Sequence, residues 1–139
     1  MLVRRYYVDT SAYLAILLCE PGHEEVAREL DGQALLSSSL LVLEARRNLV
    51  RHARQGAFAP SNLQDALDQL ERDLAFFELR DLTLDLCNSN VMPILSTPRS
   101  LDLAHLRTAL WFHAIDPIER FVTLDTDQRL SARELGLPT

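Results

Sequence analysis

Two short apolar runs, Arg4-Arg5-Tyr6-Tyr7-Val8 and Arg120-Phe121-Val122-Thr123-Leu124, each end on an aspartate that opens a helical pattern, Asp9 and Asp125. Short apolar runs alternating with long helical stretches predict an α/β chain with a mainly parallel sheet and helices on both faces. In open sheets of this kind ligands bind beyond the C-terminal strand ends, so both carboxylates arrive where a site forms. Glu44 and Asp102, near the starts of two further helices, bring the number of such acids to four.

The pattern predicts a strand over residues 2–9, a helix capped by Thr10 or Ser11 and running through Cys19, and a break at Pro21-Gly22. A short helix over 23–30 and a buried strand over 34–37 follow, then a helix over 40–54 capped by the preceding serines. From Pro60-Ser61, the residues Leu63, Leu67, Leu70, Leu74 and Phe77 recur at helical spacing and form one apolar stripe. Residues 79–83 suit a strand, 84 to about 91 a helix cut by Pro93, and Ser96-Thr97-Pro98 a loop. Ser100 caps a helix over 101–113, 121–124 is a strand, and 126–135 is the last helix.

At 139 residues and 47% hydrophobic content, the chain is expected to form one domain over residues 1–139. It has no apolar stretch of membrane-spanning length, and its N-terminus leads directly into a strand pattern, so no membrane partner and a cytoplasmic location are expected. Cys19 and Cys87 are isolated and read as buried thiols. All 14 basic residues are arginine, which excludes chemistry that needs a lysine. The net charge of −6 argues against a broad basic surface for nucleic acid, yet acids gathered around a metal would contribute to that sum while presenting a cationic site.

Each acid has two readings. Asp9 and Asp125 serve either as helix caps or as site carboxylates, with Asp127 a rival to Asp125. Glu44 lies in a helix on whose polar side fall Asn48 and Arg51, flanked by Arg47, with Val42, Leu43, Leu49, Val50 and Ala53 expected to face the core. Asp102 complements a helix dipole or joins the site, and His105, on the same face, binds metal, orients a carboxylate or is structural. Trp111 is expected to be partly buried, with base stacking or a protein contact as the alternatives. Four carboxylates with few histidines select magnesium, or alternatively manganese, over zinc.

The segments Tyr7-Val8-Asp9-Thr10-Ser11-Ala12, Ser38-Ser39-Leu40 leading to Glu44, Leu101-Asp102-Leu103-Ala104-His105-Leu106 and Val122-Thr123-Leu124-Asp125 resemble, in order and spacing, the PIN-domain ribonucleases. At this length the resemblance is to the VapC-type toxins of bacterial toxin–antitoxin pairs. It implies a three-layer α/β/α fold and an Mg2+-dependent endoribonuclease whose metal-holding catalytic quartet is Asp9, Glu44, Asp102 and Asp125. Ser11 and Thr123 match small hydroxyl positions beside the first and last acids. Leu103 departs from the small residue common after the third acid, Asp127 adds a carboxylate near the fourth, and the tail after Gly136 is short for a final strand.

The resemblance also implies an RNA substrate, a small cognate antitoxin covering the site, and a homodimer. The helices around residues 12–54 would offer the antitoxin an apolar groove. Arg47, Arg51 and Arg54 are candidates for RNA phosphate contacts, with pairing to local acids or to the antitoxin as the alternative. The stripe from Leu63 to Phe77 serves either a dimer or the chain's own core. The rival in function is a non-catalytic PIN-like module that binds RNA or protein. Phosphatases of the haloacid-dehalogenase type and receiver domains are set aside, because their patterns need a lysine.

Overall fold

Four strands carry the helices in a computed structural model that describes residues 2–88, 95–96 and 99–139. In chain order the elements are β1 (Arg5–Val8), α1 (Thr10–Leu17), α2 (His23–Leu30), β2 (Ala34–Ser38), α3 (Leu40–Arg54), α4 (Pro60–Leu74), β3 (Phe77–Arg80), α5 (Leu84–Cys87), α6 (Ser100–Ile115), β4 (Arg120–Val122) and α7 (Thr126–Glu134). The sheet is parallel throughout, in the order β3-β2-β1-β4. Every C-terminal strand tip therefore points the same way, and β1, with Asp9 at its end, lies inside the sheet.

Alternation along β1 divides the core. Tyr6 and Val8 face a cluster with Ala12, Tyr13, Leu41, Ala45, Leu49 and Leu70, while Tyr7 faces Leu36, Leu106, Ala109, Phe112 and Phe121. Helices α1 to α4 thus cover one face and α6 with α7 the other, which gives the α/β/α layering expected from the sequence. Tyr7 stacks on Phe121 across the β1–β4 pair, with ring centroids 5.3 Å apart.

The apolar stripe of α4 turns inward. Leu70 is fully buried, and Leu63, Leu67, Leu74 and Phe77 pack around the same cluster, so the stripe serves the core. The helix ends at Leu74, and Phe77 opens β3, two residues before the expected strand. Phe77 continues the helical spacing by coincidence, because a four-residue strand is too short to declare its own period. Strand β1 also begins later than expected, leaving Leu2 and Val3 exposed.

Two burial expectations are corrected, and a third holds. On α3 the buried residues are Leu41, Ala45 and Leu49, whereas Leu43 and Val50 are exposed at 68% and 44%. The helix carries two apolar stripes, and the one containing the small Ala45 lies against its neighbours. Cys19 and Cys87 are exposed, the first in the turn after α1 at φ 52°, the second at the end of the one-turn α5. Trp111 is partly buried, as expected: 37% exposed, it meets Phe112 edge-on, and the Arg80 guanidinium lies 4.6 Å from its ring centroid.

Helix ends differ by small amounts. Helix α1 ends at Leu17, and α6 begins at Ser100 and runs to Ile115, with Arg99 rather than Ser100 at its cap position. The expected extension of α5 to Val91, the break at Pro93 and the centre of the Ser96–Pro98 loop lie outside the described residues. In the tail, the Pro138 carbonyl accepts from Phe121 N at 2.7 Å, fastening the chain end to β4 with no further strand among the described residues. No helix among the described residues is long and apolar enough to cross a membrane.

Candidate catalytic site at the strand tips

Asp9 follows β1 directly and is 5% exposed. Its Oδ1 accepts from Ala12 N at 3.1 Å and from the Ser11 hydroxyl at 2.7 Å, so the residue caps α1 itself, in place of Thr10 or Ser11. Burial pushes its carboxyl up, against the opposing influence of His105 and of hydrogen bonds from Thr123, Ser11 and Ala12. A buried carboxylate whose charge is incompletely compensated is a group that a cation would satisfy. Both readings of Asp9, cap and site acid, are thus compatible in one side chain.

Glu44 reaches the same edge from α3. Its Oε1 accepts from Thr10 Oγ1 at 2.7 Å and lies 2.8 Å from His105 Nε2. Thr10 is the neighbour of Asp9, so this bond draws Glu44 to the tip of β1. On its other side His105 Nδ1 meets the Tyr7 hydroxyl at 2.7 Å. Burial raises the Tyr7 hydroxyl well above its ordinary pKa, so it stays protonated beside this nitrogen. Burial works to raise the Glu44 carboxyl, but bonds from His105 and Thr10 and the charges of His105 and Arg47 hold it below the ordinary range.

Asp102 and Asp125 come together through a basic residue. Arg99 Nε lies 2.9 Å from Asp102 Oδ2, and its Nη2 lies 3.0 Å from Asp125 Oδ2. Asp125 Oδ1 accepts from Asp127 N and Gln128 N at 2.9 and 3.2 Å, capping α7. Gln128, in the first turn of α7, donates from Nε2 to the Asp102 carbonyl at 3.0 Å and ties the two helix starts together. Asp127 is exposed, and its backbone supports Asp125.

Two hydroxyls close the arrangement. Thr123 Oγ1 accepts from Asp125 N at 3.1 Å and lies 3.3 Å from Ser11 Oγ, which in turn accepts from Leu124 N at 3.2 Å. The four acids are therefore joined by a mixed run of side-chain and backbone links: Asp9 to Ser11 and Thr123, Thr123 to the Asp125 backbone, Asp125 through Arg99 to Asp102, the backbone of α6 from Asp102 to His105, and His105 with Thr10, the chain neighbour of Asp9, to Glu44.

Of the arginines on α3, Arg51 donates to Asn48 Oδ1 at 2.7 Å, and Asn48 donates to the Glu44 carbonyl at 2.8 Å, continuing the polar side expected for this helix. Arg47 and Arg54 are exposed. Arg46, which the sequence does not single out, pairs with Glu71 of α4. Tyr7, Thr10, Arg99 and Gln128 are further contributors that sequence reasoning misses. Thr10 is signalled by its place beside Asp9, and Gln128 by the Asp125-x-x-Gln128 spacing of a capping box, although its amide goes to α6 instead.

The sequence pattern of the PIN domain family matches residues 6–134. The chain belongs to the PIN domain family. The match takes in all four acids and, apart from the first residue of β1, every strand of this PIN domain. No curated protein matches the chain. PIN domains are generally metal-dependent nucleases, and PIN nucleases act on RNA.

The residues of this PIN domain fit a divalent cation in their chemistry. The donors are hard carboxylate oxygens, two of the acids already share the positive charge of Arg99, and the buried Asp9 lacks full compensation. Among the described residues no three acids, histidines or cysteines are close enough to form a ready ligand cluster. Arg99 joins Asp102 to Asp125, and Thr10 draws Glu44 to the residue after Asp9, without closing the acids into a cage.

Proposed function

We propose that this PIN domain is a Mg2+-dependent endoribonuclease, the toxin of a type II toxin–antitoxin pair, acting in the cytoplasm and restrained by a small cognate antitoxin. The observation that carries the reading is the run of side-chain and backbone links joining Asp9, Glu44, Asp102 and Asp125 at the C-terminal edge of a parallel sheet. These four acids would hold Mg2+, or Mn2+, with Asp127 outside the set because it meets Asp125 through its backbone.

An ion held there would supply activation of a water and stabilisation of charge on the phosphodiester oxygens. Ser11 and Thr123 hold Asp9 and the Asp125 backbone in place, while Thr10 and His105 fix the Glu44 carboxylate in its ionised form. Arg47, Arg51 and Arg54 are assigned to the RNA backbone, since phosphate neutralisation dominates nucleic-acid affinity.

A groove of about 480 Å³ between α1, α2 and the beginnings of β2 and β3, lined by Tyr13, Ile16, Leu30, Leu35 and Phe77, is open to an apolar segment of the antitoxin. None of the four acids lines it, so covering them needs a second part of the same partner. For the homodimer, the exposed Leu43 and Val50 are better suited than the inward stripe of α4.

Induced expression of the chain, followed by mapping of newly formed RNA ends, tests the reading. Discrete cleavage sites that disappear with Asp9→Asn support it. Intact RNA in cells making folded, partner-free protein would overturn it in favour of a non-catalytic binding module.

A further inference from the structure

Arg99 sits at the cap position of α6, where the helix dipole disfavours a cation. Its placement is accounted for by the two acids it joins. Nε lies 2.9 Å from Asp102 Oδ2 and Nη2 lies 3.0 Å from Asp125 Oδ2, so one guanidinium spans carboxylates at the starts of two helices. Asp125 Oδ1 is engaged by the amides of Asp127 and Gln128, which leaves Oδ2 as the oxygen this residue can offer. That oxygen is the one Arg99 takes.

We propose that Arg99 is a built-in counter-cation: it holds the Asp102–Asp125 pair in the metal-free protein, and a divalent cation binds by displacing it from the same oxygens. The inference rests on the metal-site reading above. Two carboxylates this near each other repel unless a positive charge stands between them, and the Arg99 fork meets that need. The Arg99 side chain is 62% exposed, so its ion pairs are of the weak, solvent-screened kind and release is easy.

The test is Mn2+ binding by calorimetry on the full, partner-free chain after chelation and dialysis. Arg99→Gln should tighten Mn2+ binding about three- to tenfold, the scale of two weak competing ion pairs. It should also lower the melting temperature in EDTA and enlarge the rise that Mn2+ produces. Arg99→Lys, which keeps the charge without the fork, should fall between Arg99→Gln and wild type. Arg47→Gln removes an equal charge that acts on Glu44 without touching the pair, and should change Mn2+ affinity less than about twofold.

Equal tightening by Arg47→Gln and Arg99→Gln would show a diffuse charge effect and overturn the proposal. So would unchanged or weaker Mn2+ binding in Arg99→Gln, even if wild type binds Mn2+ and Asp125→Asn weakens it; that result leaves the metal site standing. Absence of Mn2+ binding in wild type and both Arg99 variants removes the metal site and this inference together.

Discussion

His105 Nε2 lies 2.8 Å from Glu44 Oε1, a bond made around the end of the sheet, because α6 and α3 cover opposite faces. The histidine is buried, and Tyr7 fixes its other nitrogen. Its function in the proposed mechanism is to hold the Glu44 carboxylate, much as outer partners orient metal-binding carboxylates.

His105→Ala should lower RNA cleavage by about 10- to 100-fold and raise the Mg2+ concentration needed for half-maximal rate. His105→Gln, which keeps a donor for Glu44, should be less impaired. Single-turnover cleavage rates measured across a Mg2+ titration separate this from a fold defect, which would lower the active fraction without moving the Mg2+ midpoint.

Asp9 supplies a pH prediction. Its carboxyl is raised by burial, so between the ordinary and the raised value the folded state binds more protons than the unfolded state, and stability falls as pH rises through that window. Asp9→Asn keeps a good helix cap and removes the buried charge. In EDTA the melting-temperature advantage of Asp9→Asn over wild type should grow as pH rises through that window. Below the ordinary carboxylate range, where Asp9 is protonated in both states, the advantage should vanish in thermal scans. Glu44 has the opposite sign: its lowered value contributes stability above the ordinary range that is lost as pH falls through the lowered one.

The inward stripe of α4 and the rotated face of α3 are checked by a pair of truncations. Leu70→Ala should destabilise by about 2–5 kcal/mol in urea titrations, as truncation of a fully buried leucine does. Leu43→Ala, on the exposed side of α3, should change the same measurement by less than about 0.5 kcal/mol at concentrations where the chain is monomeric. The reverse order would restore the core face expected from the sequence alone.

Much of this architecture is legible in the chain. Asp9, Gly22, Ser38-Ser39 and Asp125 mark real helix starts, and the strand–helix alternation delivers the layering. What local pattern does not supply is partnership. Glu44 meets the tip of β1 only because Thr10 reaches across from α1 to α3, and Asp102 meets Asp125 through Arg99 only because α6 and α7 share a face of the sheet. On α3, hydrophobicity alone does not say whether Leu41 and Ala45 or Leu43 and Val50 are covered, since that depends on the sheet and on α4.

For RNA binding, Arg47→Ala and Arg54→Ala together should weaken the affinity of a catalytically inert Glu44→Gln chain across all RNA sequences. The slope of log affinity against log salt should become shallower by about 0.7 for each phosphate no longer neutralised. Filter-binding titrations at several salt concentrations measure it, and an unchanged slope removes these two residues from the interface.

The proposed activity stands most directly on cleavage of a structured RNA by the purified, antitoxin-free chain in Mg2+, compared with EDTA and with Asp9→Asn, Glu44→Gln, Asp102→Asn and Asp125→Asn. Discrete fragments are predicted from wild type, none in EDTA, and a fall of at least about 100-fold in each variant. Cleavage that persists in EDTA, or that survives both Asp9→Asn and Glu44→Gln at the wild-type rate, would contradict it.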